Sequence, residues 1–181
     1  MDMKTIALPF LLFCFLTQTH AQKVQTADDC ESVKGWSGGQ PVTVVESDVK
    51  QGKYALQCEG EAPYRFRKLF TPAVNSGVSS DAGYLSFWLF ISDVTDVAVS
   101  PGLVQIGSAA KSELNAHHWS LKNLNLKNGW NKVILQLSPA SAKGGAFDPA
   151  AFTYFALIQK TTKPVLFKLD DIRFANDVKD L

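Results

Sequence analysis

Residues 64–70 (YRFRKLF) carry two guanidinium groups two positions apart. On a strand, alternation predicts Tyr64, Phe66, Lys68 and Phe70 on the inner side, with Arg65, Arg67 and Leu69 outward. A guanidinium offers planar paired donors, which suit vicinal hydroxyls or a carboxylate. The alternative is a solvated basic strand, or salt bridges to a neighbouring one. His117 and His118 are adjacent, so on a strand their imidazoles face opposite ways and cannot readily chelate one ion. One is expected toward solvent and the other toward a neighbouring strand. Residues 35–39 (GWSGG) have the form G-x-S-x-G, but Gln40, Pro41 and a β-rich run follow where a nucleophile elbow needs a helix. The expectation is a Gly-rich loop presenting Trp36. No H-E-x-x-H, C-x-x-C or phosphate-binding Gly loop occurs.

Acids cluster near both ends. Asp28, Asp29 and Glu31 lie in an early β-rich run, and Asp170 and Asp171 in the last. Asp29 and Glu31 would share one side of a strand. If the first and last strands meet, their oxygens could surround a hard cation such as Ca²⁺. Ordinary solvated acids are the equal alternative.

Residues 1–21 read as a secretory signal: Lys4, an apolar stretch over 5–16, then Thr19, His20 and Ala21 before the cleavage point. The stretch is shorter than the ~20 residues that span a bilayer. Lipidation at Cys14 is disfavoured by the bulky Phe13 before it. The mature chain, 22–181, has no transmembrane segment and is expected as one domain, secreted or periplasmic or at the cell surface. Of three cysteines, Cys30 and Cys58 remain. A pair in an oxidising compartment predicts a disulfide, contributing about 3–4 kcal/mol in the chain-entropy model. Two buried thiols are the alternative.

Those residues need a frame. The chain has 181 residues, 46% hydrophobic and 19% charged, with a net charge of +1. Such a chain lacks the basic surplus of a nucleic-acid binder and the polarity of a disordered one. Strand-like runs fall at 28–34, 42–47, 54–59, 64–70, 84–92, 102–108, 117–124, 131–137, 153–160 and 165–174. Gly, Pro, Asn and Asp separate them. Asp148 and Pro149 predict one helical turn. Leu85, Phe87, Leu89 and Ile91 share one face of a central strand. The prediction is an all-β fold of two packed sheets.

The opening Asp28-Asp29-Cys30-Glu31, the loop 52–56 (GKYAL), the strand 85–89 (LSFWL), the turn 128–133 (NGWNKV) and the closing Leu169-Asp170-Asp171-Ile172 follow one another in a familiar order. The chain thereby resembles the galactose-binding-like jelly-roll β-sandwiches, which include many carbohydrate-binding modules of bacterial polysaccharide enzymes. The resemblance spans about residues 27–175. Cys30 departs from the family's usual aromatic, which fits a local disulfide to Cys58. The resemblance implies a two-sheet antiparallel jelly-roll sandwich. It also implies a structural Ca²⁺ held by Glu31 and Asp170, with Asp29 and a backbone carbonyl near Lys53 as further participants.

The same resemblance implies binding of a poly- or oligosaccharide, without catalysis, beside a partner glycan-degrading enzyme. No family binding position transfers directly. Trp36, Tyr64, Arg65, Arg67, His117 and His118 are the site candidates, because they lie in loops or half-exposed strands. Trp88, Trp119 and Trp130 are assigned to the core. Two other readings stay open. One is a small jelly-roll polysaccharide lyase, using Tyr64 or Tyr154, His117 or His118, and Arg65 or Arg67. The other is a structural or partner-binding extracellular subunit with no glycan.

Overall fold

The computed structural model describes residues 24–99, 102–108, 115–138 and 141–181. The expected signal segment, with Cys14, lies outside them. The strands are β1 (Val24–Asp28), β2 (Trp36–Ser37), β3 (Thr43–Val45), β4 (Ala55–Gly60), β5 (Tyr64–Val74) and β6 (Tyr84–Ile91). After helix α1 (Val94–Val99) come β7 (Leu103–Gly107), β8 (Ala116–Ser120), β9 (Gly129–Gln136), β10 (Ser141–Lys143), β11 (Phe152–Ile158) and β12 (Val165–Ala175).

They form two antiparallel sheets. The first runs β3-β4-β12-β6-β9, with β1 also on β12; the second runs β10-β8-β7-β11-β5-β2. Strand β12 pairs with β4 over residues 165–169 and with β1 over 172–175. The ladder to β6 breaks between Asp170 and Arg173, where Asp171 takes a φ of 57°. Asp170 therefore falls in the gap between two partners on one side of β12.

Leu85, Phe87, Leu89 and Ile91 turn inward as their alternation predicts, and all are buried. Aromatic edges tie the sheets together. Phe87 of the first sheet meets Phe155 of the second at 5.5 Å between centroids, and Phe174 meets Phe152 at 5.2 Å. Such edge-to-face pairs add about 0.5–1.5 kcal/mol each beyond area burial. The turn at Asp148 forms as predicted, a 3-10 turn over Pro149–Ala151 with the carboxylate accepting from Ala150 N at 2.9 Å.

The early strand differs from expectation. It ends at Asp28 instead of spanning 28–34. The Asp28 carboxylate accepts from Cys30 N and that of Asp29 from Glu31 N, while Cys30 adopts a φ of 60°. These local turns outcompete the ladder, so Asp29 and Glu31 are not strand neighbours on one side. Residues 121–123 leave the predicted strand as a 3-10 turn, and α1, β2 and β10 were not foreseen.

The expected disulfide is also corrected: Cys30 and Cys58 are free buried thiols. Cys58 sits opposite Phe167, whereas the Cys30 thiol accepts from the backbone of Asp171. Four residues of strand, on the order of 13 Å, separate those anchors. A disulfide needs Cα atoms about 4.4–6.8 Å apart. Burial pushes the Cys58 thiol up to about 12, and raises Cys30 as well.

Candidate functional site

Strand β5 does not alternate as its sequence suggests. Phe66 pairs with Leu157 and Tyr64 with Ile158, so a bulge absorbs Arg65. Arg65 is 1% exposed. Its guanidinium donates to Gln159 O at 2.7 Å, Gly60 O at 2.6 Å and Thr161 Oγ1 at 2.6 Å, and lies 4.7 Å from the Phe167 ring centroid. Desolvation lowers its pKa. Arg65 is therefore a buried strut, and the expectation that it points outward is corrected.

The bulge turns Tyr64 to the outside, beside Arg67. Tyr64 is 39% exposed, and the Arg67 guanidinium carbon lies 5.9 Å from its ring centroid. With Ser37, Gly38 and Gly39 they line a groove of about 230 Å³. Gly38 is required there, since a Cβ would stand 2.7 Å from Arg65 O.

Trp36 leaves this site. It lies in β2 facing the core, 8% exposed, edge-on to Phe66 at 6.3 Å and Phe155 at 5.9 Å. Its place beside the core-facing Lys68 of β5 explains the inversion. Ser37, its neighbour, faces outward and donates to Arg67 O at 3.3 Å. A strand, not a helix, carries this serine.

Register places Ser37, Arg67, Ala156, Gln105 and His118 in one row across β2, β5, β11, β7 and β8. Four strand spacings span about 19 Å. Tyr64 and Leu69, the latter 49% exposed, stand beside the row on β5. His118 is half-buried in it. His117 faces the other way, buried against Trp119 and Phe147 at 6.0 and 5.3 Å. Burial, then the neighbouring His118, lowers its pKa. His117 is thus a core residue, correcting its place among the site candidates. Arg67 and His118 are three strand spacings apart, about 14 Å, and Tyr154 is buried.

At the strand junction, Asp170 Oδ2 accepts from Lys50 N at 2.8 Å and Gln51 N at 3.0 Å. Glu31 Oε1 accepts from Lys53 N at 2.8 Å and Tyr54 N at 3.2 Å. Gly52, with a φ of 67°, lets the loop pass, since a Cβ there would collide with Glu31 Oε1. Two carboxylates from opposite ends of the chain thus hold one loop. Burial pushes Asp170 up to about 6 against those backbone donors; Asp171 and Glu31 add to the rise. Asp170 Oδ1 is buried with no hydrogen-bond partner among the described residues. Asp29 is exposed and turned to its own loop. No group of three or more His, Cys, Asp or Glu side chains poised for a metal occurs among the described residues. A cation here would draw on Asp170, Glu31 and backbone carbonyls, a donor set that calcium accepts.

The sequence reading missed one aromatic surface. Trp88 and Trp130 lie half-buried on the outside of the first sheet, not in the core. Alternation could have shown it: Trp88 lies on the face of β6 opposite Phe87 and Leu89. Trp119 packs partly buried against the core.

No protein-family model and no curated protein matches the chain. Solved structures do. A family 11 carbohydrate-binding module from Clostridium thermocellum, in complex with a β-1,3-1,4-mixed-linked tetrasaccharide, superposes with a TM-score of 0.56 at 14% identity. The match covers 84% of this chain and 95% of that one. The chain shares the β-sandwich fold of that module. A family 30 module of a cellulosomal cellulase of the same organism gives 0.55 at 14% identity, over 78% and 86%. An exo-β-agarase gives 0.59 at 7% identity, over 84% of this chain and 24% of the enzyme. At these identities the likeness establishes the fold alone.

Proposed function

We propose that the protein is a secreted, non-catalytic module that binds a poly- or oligosaccharide at the β2–β5 end of the second sheet's outer face. The observation that carries this reading is the groove of Tyr64, Arg67 and Ser37–Gly39 at one end of the Ser37–His118 row. Tyr64 offers a ring for the apolar face of a sugar, and Arg67 offers paired donors to vicinal hydroxyls. Ala156 and Gln105, in the middle of the row, are buried, so the open surface is its β2–β5 end. Fold likeness to a module solved in complex with a mixed-linked tetrasaccharide supports the class of ligand.

A glycan array with the mature protein, followed by calorimetry on any hit, tests this. Tyr64→Ala and Arg67→Ala should each weaken binding by about 1–3 kcal/mol with the unfolding midpoint unchanged. No hit on the array, or full affinity in the double variant, would reject the site.

A further inference from the structure

The outer face of the first sheet joins aromatic rings to cations. Phe90 pairs with Trp130 and Trp88 with Lys132 across β6 and β9. The Phe90 and Trp130 rings meet edge-on at 5.7 Å, and Trp130 Nε1 donates to Asp48 at 3.0 Å, which fixes the indole. Lys50 Nζ lies 5.2 Å from the Trp88 centroid and 5.9 Å from that of Trp130, and Lys132 Nζ lies 5.6 Å from Trp88. A cavity of about 480 Å³, walled by Trp88, Trp130, Lys127 and Lys132, opens here. A second of about 220 Å³, with Lys50, Ser86 and Arg173, shares Trp88 and Lys132 with it.

Charge on this face is unbalanced. Asp48 is engaged by Lys168 and Trp130, and Asp171 by Arg173. Lys132 donates to the main-chain oxygen of Leu181, the last residue of the sequence. Among the described residues, Lys50 and Lys127 make no ion pair. The whole chain carries only +1, so the excess is local.

We propose that this face is a second binding site, for an anionic polysaccharide. The indole of Trp130, with Trp88 beside it, takes the apolar face of a sugar ring. Lys50, Lys127 and Lys132 pair with its carboxylate or sulfate groups. Lys50 already sits over both indoles, so an anion stacked there meets its charge without rearrangement of the sheet. The chain carries a net charge of only +1 and lacks the basic surplus of a nucleic-acid binder, which favours a saccharide over a single-stranded nucleic acid. The site lies on the opposite sheet from the Tyr64–Arg67 groove, with the core between them, and stands without it.

Calorimetric titration with oligogalacturonate, a sulfated oligogalactan, a neutral cello-oligosaccharide and a single-stranded oligonucleotide tests the assignment. At least one anionic saccharide should bind, with Kd rising as salt is added. The double substitution Lys50→Ala with Lys127→Ala should weaken it at least about tenfold. It leaves the backbone bond from Lys50 N to Asp170 in place. Trp130→Ala should weaken it too, while Arg67→Ala should not. The two anionic probes separate carboxylate from sulfate recognition. The proposal fails if neither anionic saccharide binds, if the double lysine variant binds normally, if Arg67→Ala abolishes binding instead, or if only the oligonucleotide binds this face. Neutral-glycan binding lost with Arg67→Ala, without anionic binding, would overturn this site and leave the other standing.

Discussion

The Arg65 guanidinium donates to the Gln159 carbonyl at 2.7 Å, and this contact joins the start of β5 to the end of β11 from inside the molecule. Gly60 O and Thr161 Oγ1 complete its shell; Thr161 Oγ1 also donates to Gly60 O at 3.1 Å, so truncation removes three buried bonds but leaves that one. Arg65→Ala should destabilise the protein by about 3 kcal/mol. Arg65→Lys should recover less than half of that, because an ammonium cannot reproduce the planar fork. Urea unfolding would measure both. A loss below 1 kcal/mol for the alanine variant (about the worth of one ordinary hydrogen bond) would contradict the strut.

Trp36 and Trp88 exchange the roles their sequence contexts suggest. Trp36, edge-on to Phe66 and Phe155, should cost about 3–5 kcal/mol when cut to alanine. Trp36→Phe should cost less, since a ring is kept. Trp88→Ala, on the half-buried outer face, should cost clearly less than Trp36→Ala. Matched chemical denaturation of the three variants checks the order, and a larger loss at Trp88 would reverse the assignment of inner and outer faces.

The sandwich was legible because its central strands obey period two. In β6 the inward Leu85, Phe87, Leu89 and Ile91 read directly from the sequence, and the Asp148 cap did as well. Strand β5 was not legible, because a bulge inserts one unpaired residue and flips the face of what precedes it. Tyr64 and Arg65 exchange sides for that reason, a change no alternation rule can register. Trp36 was misplaced because a two-residue strand between glycines has no periodicity to read. Trp88 and Trp130 were missed because size alone suggested burial, although amphipathic rings also line surfaces.

His117 packs against Trp119 and Phe147 with His118 as its nearby titrating group, and its pKa is lowered by burial. The unfolded chain therefore binds this proton more readily than the folded one. Its neutral form contributes stability that is fully present above the ordinary value of 6.5, and this is lost as pH falls through 6.5 toward the folded value. The His117 contribution to unfolding free energy should decline from near pH 6.5 downward, against Asp170, whose carboxyl, raised to about 6, adds stability as it protonates. A His117→Phe variant, which keeps the ring, should show a shallower decline above the carboxylate range. Identical slopes in both proteins would remove His117 as the source.

Calcium at the junction of Glu31 and Asp170 is the last expectation. The two carboxylates already grip the 50–54 loop through backbone donors, and Asp170 Oδ1 is left buried without a partner among the described residues. A buried carboxylate oxygen in that state is costly unless a donor or cation meets it. Calcium that binds only the folded chain would stabilise it by about 2.7 kcal/mol at a hundredfold excess over Kd. Tm of metal-stripped protein should therefore rise on adding calcium and fall again with chelator. Glu31→Gln should reduce that rise while keeping an acceptor for Lys53 N and Tyr54 N, so the fold survives the test. Asp170→Asn is the harsher change, because its amide must fit a site fully closed to solvent. Magnesium should substitute poorly, since it demands octahedral geometry and sheds water reluctantly. A Tm indifferent to calcium and chelator alike would leave Asp170 as a strained structural acid and Glu31 as a loop anchor only.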